Sequence, residues 1–242
     1  RALEGADRSF CLVRPPGHHA TATRPMGFCL LNNAAVGAAS ALGRGVDRVA
    51  VVDFDVHHGN GTQEIFWRDP QVLYVSIHQW PWYPWYAGAL EETGAGDGEG
   101  ANVNVPLPAG SDDAVYLAAM DRIVDPVVRA FGPELLVVSA GYDAHTRDPL
   151  SSTEVTTSGF ARIAGRLAGL AAEVCEGRMV TTLEGGYDLE GLSTSFVVTM
   201  RALAQDDLPA AEDGEAEVDP ASPQAKALER AVAFHARHWP TV

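Results

Sequence analysis

Four short runs with almost no polar interruption set the limits on what this chain can fold into: 48–54 (RVAVVDF), 72–77 (VLYVSI), 135–139 (LLVVS) and 178–183 (RMVTTL). A strand with one wet face alternates apolar and polar residues, whereas runs like these are strands covered on both faces. Segments of helical character separate them. Residues 32–42 are rich in Ala and stop at Gly43, and 62–67 read as a short helix. Residues 112–131 read as one long helix, with Asp112 as N-cap and Gly132-Pro133 as stop. Residues 157–175 are capped by Gly177, and 189–203 read as another helix. Residues 103–105 are a short apolar stretch before Pro106, and a last helix starts at Ser222 with Pro223 at its first position. The alternation predicts an α/β fold, a mainly parallel sheet with helices on both faces. In such sheets ligands bind beyond the carboxyl ends of the strands.

All four strand ends carry polar or Gly-rich elements. Asp53-Phe54-Asp55-Val56-His57-His58-Gly59 leaves the first, Ser76 and His78 the second, Gly141-Tyr142-Asp143-Ala144-His145 the third, and Glu184-Gly185-Gly186-Tyr187-Asp188 the fourth. In extended chain Asp53, Asp55 and His57 point to one side. Two carboxylates and an imidazole on one face form a ligand set that a core seldom tolerates without a metal. Asp143, which also follows a strand, is the leading further ligand. Asp55, His57 and Asp143 around Zn2+ would leave one position for water. The adjacent His18 and His19, presented by the stiff Pro15-Pro16-Gly17 loop, supply proton-transfer groups. A Tyr187 hydroxyl held after Gly185-Gly186 can hydrogen-bond a developing oxyanion. The aromatic segment 79–86 (QWPWYPWY) can wall a tunnel. Plainer readings stand beside these: an Asp-rich turn, a strand-to-helix turn, a packed aromatic loop. A sharper alternative is an aspartyl-phosphate phosphatase, whose nucleophile also sits in Asp-x-Asp after an apolar strand, but His57-His58-Gly59 does not fit it. The run 94–100 (GAGDGEG) lacks a preceding strand and a following helix, so it reads as a mobile loop rather than a dinucleotide site.

The 242 residues are 46% apolar, enough for one domain with a substantial core. A formal net charge of −15 with no basic stripe argues against direct nucleic-acid binding. Three cysteines, Cys11, Cys29 and Cys175, make no disulfide framework and suit a reducing cytoplasm. No apolar run reaches membrane-spanning length, so no membrane partner is expected. Acidic residues without Lys or Arg fill 206–219, from Asp206 and Asp207 to Glu217 and Asp219, and read as a solvated linker. The chain opens on Arg1, and we expect it to be a piece of a longer protein.

Eight motifs, taken together, resemble the histone deacetylase family, above all its class II-like and bacterial members, including acetylpolyamine amidohydrolases and acetoin-utilisation proteins. They are RPPGHHA (14–20), GFCLLNN (27–33), VDFDVHHGNGT (52–62), VSIH (75–78), NVPLP (104–108), SAGYDAH (139–145), DPL (148–150) and LEGGYD (183–188). The resemblance implies an arginase/deacetylase-like α/β fold in residues 1–205 that lacks the N-terminal part of the family domain. The linker (206–221) and a C-terminal helix of the same domain (222–242) would follow. It implies one catalytic Zn2+ on Asp55, His57 and Asp143. His19 would be the general base and His18, backed by Asp53, its electrostatic support. Tyr187 would stabilise the oxyanion. Phe28 and Tyr83 would clamp the substrate's stem in a channel that also includes Leu150, Gly185 and Gly186. Asn60 stands where class I members have Asp, a class II-like feature. Structural K+ would lie near Asp53, Asp55, His57 and Ser76, with a second site near Phe66, Asp69 and Val72. The implied activity is hydrolysis of an N-acetyl amide, with acetyl-lysine in a protein as substrate. Acetylpolyamines are the alternative substrate, and a non-catalytic acetyl-lysine binder the alternative from another class. A homo-oligomer is compatible with all of these.

Overall fold

The computed structural model describes residues 2–3, 8–204 and 217–242. Its sheet has six strands: β1 (Arg8–Cys11), β2 (Val49–Asp53), β3 (Val72–Gln79), β4 (Asn102–Leu107), β5 (Leu135–Ala140) and β6 (Met179–Leu183). They lie in the order β1-β6-β5-β2-β3-β4, and every pairing is parallel. Asp53 at the end of β2 is level with Ser76 on one side and Ser139 on the other, and Ser139 is level with Thr182. The carboxyl ends of the central strands therefore finish side by side.

Successive side chains of a strand face opposite ways, and the sheet buries both sets. Val49, Val51, Val72, Leu135 and Val137 pack with Ala34, Ala38 and Ala41 of α1 (Asn33–Leu42) and with Phe66 of α2 (Asn60–Phe66). Ala50, Val52, Leu73, Val75, Leu136 and Val138 face the opposite layer. That layer consists of α3 (Asp113–Ala119), α4 (Asp125–Phe131), α5 (Thr157–Cys175), α6 (Leu189–Ala204) and α7 (Pro223–His235). Each fully buried Val or Leu contributes about 1.5–3 kcal/mol relative to exposure. No helix among the described residues is long and apolar enough to cross a membrane.

Several expectations need correction. β1 was not legible, because RSFC is short and half polar. Residues 103–105 prove to be the middle of β4, which includes Pro106; as the edge strand, β4 tolerates a residue without N–H. The single helix expected over 112–131 is interrupted by a π turn at Met120–Val124, where Asp125 N–H bonds the carbonyl of Met120. Pro126 cannot donate to the carbonyl four residues back, and the turn before it widens. Segment 94–100 is pinned rather than loose: Ala95 N donates to Trp67 O (2.9 Å), and Trp239 Nε1 to Gly100 O (2.9 Å). Of the acidic stretch, 206–216 lies outside the described residues.

Candidate active site

β2 ends at Asp53, and the chain turns instead of running on extended. Asp55 N donates to Asp53 Oδ1 (3.1 Å), and His57 N donates to Asp55 Oδ1 (2.9 Å). Stacked side-chain-to-backbone bonds, and not strand alternation, thus set the directions of Asp55 and His57. Asp143, from the loop after β5, meets them. His57 Nδ1 lies 3.2 Å from Asp55 Oδ1 and 3.0 Å from Asp143 Oδ2. One ligand atom from each of the three residues falls within 4.8 Å of the others, and all three residues are buried.

Each carboxylate is also tied to backbone: Asp55 Oδ2 accepts from Gly185 N (2.8 Å), and Asp143 Oδ1 from Val56 N (3.0 Å). A Cβ at Gly185 would run into Asp143, and one at Gly141 into Asp55. Gly185 and Gly186, expected in the channel, do not wall it; Gly185 lies against the carboxylates. Burial works to lower the His57 pKa, but Asp143 and Asp55 outweigh it and push it up to about 10. Burial and the Asp55 charge push Asp143 up to about 6. A proton on Nδ1 therefore sits where a divalent ion would hold the same two carboxylates. The oxygen–nitrogen–oxygen donor set suits zinc.

The histidine pair arrives from the loop before α1. Glu184, fully buried at the end of β6, accepts from Gly17 N (2.6 Å), His18 N (3.0 Å) and Ser139 Oγ (3.1 Å). Asn32 secures the other side: its Oδ1 caps α1, while Nδ2 donates to Ala20 O (3.1 Å) and Thr62 Oγ1 (3.0 Å). His18 Nδ1 is 3.0 Å from Asp53 Oδ2, which also accepts from the Tyr74 hydroxyl at 3.0 Å. Against the pull of burial, Asp53 and Asp55 raise the His18 pKa well above the usual imidazole value, so this buried pair keeps its shared proton on the ring. His19 goes the other way: burial, then the neighbouring His18, holds its pKa well below the usual value. His19 Nδ1 is 2.9 Å from Asn60 Oδ1.

Tyr187 is half-buried and sits where Asp148 fixes it. Asp148 Oδ2 accepts from Tyr187 N (2.6 Å) and Asp188 N (3.2 Å), while its Oδ1 accepts from Leu150 N (2.9 Å). The roles of Glu184 and Asp148 were missed from sequence. The available signal was an acid directly before Gly185-Gly186 and another directly before Pro149.

A cleft of about 460 Å³ opens over this floor, lined by His19, Gly27, Phe28, His57, Trp82, Tyr83, Trp85, Leu150 and Tyr187. Tyr83 stands edge-on to His19, ring centroids 4.9 Å apart, and Phe28 is 6.0 Å from Tyr187. Trp82 Nε1 donates to Leu150 O (2.9 Å), joining the two rims. Phe28 (φ 64°) and Trp85 (φ 65°) hold left-handed backbone, a conformation seldom kept by bulky residues away from functional positions. Ser76 Oγ lies 3.0 Å from His78 Nδ1. Phe66, Asp69 and Val72 form the turn between α2 and β3, where Asp69 Oδ1 accepts from Gln71 N (2.9 Å).

Residues 1–203 match a family model described as histone deacetylase domain. "Histone deacetylase 10, chloroplastic" of Oryza sativa subsp. japonica is 49% identical over 194 residues, covering 80% of this chain and 44% of that protein. A "Probable deacetylase" of Archaeoglobus fulgidus is 46% identical over 185 residues, covering 76% of this chain and 51% of that protein. The solved HD domain of HDA15 superposes with a TM-score of 0.87 at 39% identity, over 99% of this chain and 65% of that one. The chain thus spans about half the length of the curated relatives it matches. Its six-stranded parallel sheet is of the arginase/deacetylase type that the motifs implied. A match over most of its length places the chain in the histone deacetylase family.

Proposed function

We propose that this chain is a zinc-dependent deacylase that hydrolyses an N-acetyl amide, with acetyl-lysine in a protein as its substrate. The observation that carries the reading is the cleft, where His19, His57 and Tyr187 share one aromatic-walled lining. Asp55, His57 and Asp143 would hold the ion, and their convergence on His57 Nδ1 is the fit that supports it. Bound there, zinc would supply a Lewis acid for the acyl carbonyl and lower the pKa of water.

The chain's own residues do the rest. His19, kept neutral by burial, takes the proton of the attacking water as its oxygen bonds the carbonyl carbon. The same proton passes to the amine nitrogen as the C–N bond breaks. His18, paired with Asp53, gives electrostatic support from beneath the site, and the Tyr187 hydroxyl would donate to the developing oxyanion. Phe28 and Tyr83 exclude water from the extended acyl-lysine stem. Leu150 at the mouth offers no partner to a distal ammonium, which favours acetyl-lysine over acetylspermidine. Structural K+ is proposed at the level strand ends, where Asp53 and Ser76 share a register, and at the 66–72 turn. It would appear as a melting midpoint that rises with KCl and not with choline chloride.

Turnover of an acetyl-lysine peptide and of acetylspermidine, each with and without chelator, tests the reading. Chelator-sensitive turnover with kcat/KM larger for the peptide supports it. No turnover of either by zinc-loaded protein would leave a binder, and a preference for acetylspermidine would overturn the substrate choice.

A further inference from the structure

We infer that Tyr86 is a positioning residue for His19: together with Met26 Sδ and the His19 carbonyl, it holds Asn60 in the orientation that keeps the His19 proton on Nδ1. The inference rests on His19 being the base proposed above. Asn60 Oδ1 lies 2.9 Å from His19 Nδ1. An amide has one accepting and one donating end, so Asn60 serves a base in only one of its two orientations. With Oδ1 toward the ring, Nδ1 holds the proton and Nε2 keeps a lone pair. Turned over, Nδ2 would donate to Nδ1, the proton would move to Nε2, and the ring would lose its basic atom there. A carboxylate at this position would need no such control.

The far side of the amide decides the orientation. Asn60 Nδ2 faces Tyr86 Oη at 3.2 Å, Met26 Sδ at 3.4 Å and the His19 carbonyl at 3.4 Å. The sulfur and the carbonyl only accept. The Tyr86 hydroxyl has a single proton and lies 3.3 Å from Met26 Sδ, while Arg24 Nη2, which only donates, lies 3.3 Å from the same hydroxyl oxygen. Arg24 thereby keeps that oxygen an acceptor and leaves its proton to the sulfur, so that a lone pair remains for Asn60 Nδ2. Tyr86 provides the shortest of the three contacts. Neither Tyr86 nor Arg24 lines the cleft, and Tyr86 is 59% exposed. The aromatic segment therefore has two tasks: Trp82, Tyr83 and Trp85 wall the cleft, and Tyr86 holds the base from behind.

Tyr86→Phe in the zinc-loaded 242-residue chain removes the hydroxyl and keeps the ring. The expected result is a kcat lower by about fivefold, the worth of one neutral hydrogen bond, with KM and zinc content unchanged. In an Asn60→Asp background both oxygens accept, and the same change should cost less than about twofold. Ring 15N NMR, with His19 assigned by its loss in His19→Asn, reads the proton directly. It should sit on Nδ1 in the wild type and shift measurably, though not wholly, toward Nε2 in Tyr86→Phe, where only Met26 Sδ and the His19 carbonyl still face Asn60 Nδ2. An unchanged 15N pattern in Tyr86→Phe overturns the inference, whether or not Asn60→Asp folds. So does an equal loss of kcat in both backgrounds. Full turnover in His19→Ala would instead remove the base assignment, and the 15N pattern would still judge Tyr86 by itself.

Discussion

The floor and the mouth of the cleft are built by opposite means. On the floor, Asp53, Asp55 and Asp143 are fully buried, and each accepts a backbone or side-chain hydrogen bond from a separate stretch of chain. At the mouth, Phe28 is 70% exposed and Trp85 65%, and the rims are tied by surface bonds such as Trp82 to Leu150 and Arg24 to Tyr86. Charges buried this deeply are costly unless every one is paired, so the floor has essentially one arrangement. Exposed aromatics pack adaptably and tolerate replacement. The chemistry should therefore be intolerant of substitution, and the selectivity easily changed.

Substitutions on the floor should have the largest effects. Tyr187→Phe keeps the ring and removes the hydroxyl proposed to donate to the oxyanion. Steady-state kinetics should give a kcat lower by about 10²-fold, with zinc retained. Near-normal turnover would make Tyr187 a wall residue and blur the contrast. Glu184→Ala strands the buried N–H groups of Gly17 and His18. Denaturant unfolding should show a loss of about 2–4 kcal/mol, along with reduced kcat, because the histidine pair loses its anchor. An unchanged midpoint would mean that Asn32 alone holds the loop.

Acid should weaken the tie between β3 and the segment that follows the aromatic run. His78 on β3 lies 2.9 Å from the carbonyl of Gly88, and burial lowers its pKa to about 4. Its unfolded value is about 6.5, so between these values the unfolded chain binds more protons than the folded one. The stability that His78 contributes is complete above about pH 6.5 and falls as pH drops toward 4, by on the order of 3 kcal/mol in all. Melting midpoints measured down this range should decline, and His78→Gln should flatten the decline. A slope unchanged in that variant would move the effect to another buried histidine. The smallest effect belongs to Leu150→Glu at the half-exposed rim. The kcat/KM ratio of acetylspermidine to acetyl-lysine peptide should rise roughly threefold, the scale of a solvent-screened ion pair. No change in the ratio would move the selectivity away from this rim.

The same contrast governs what could be read from sequence. β2, β3, β5 and β6 were legible because burial on both faces leaves a continuous apolar run. β4 was not, because Asn102 and Asn104 point into a polar network with Gln63 while Val103 and Val105 face the core, and because Pro106 looks like a terminator. That Asp55, His57 and Asp143 would meet was legible because polar residues collect at the ends of parallel strands, and His18 and His19 stood out as an adjacent pair after Pro15-Pro16-Gly17. The anchoring bonds of Glu184 and Asp148, and the contact of Tyr86 with Asn60, were not legible. Each acts on a segment 26 to 167 residues away in sequence, through backbone or amide groups that no local pattern encodes.

The central claim is that Asp55, His57 and Asp143 form one metal centre on which turnover depends. Zinc content and deacetylation measured together, in the wild type and in Asp143→Ala, test it most directly. The wild-type chain should hold one zinc, with turnover lost on chelation and restored as zinc is returned. Asp143→Ala, although folded, should lack both zinc and activity. Full zinc content in Asp143→Ala, or turnover that survives complete removal of metal, would contradict it.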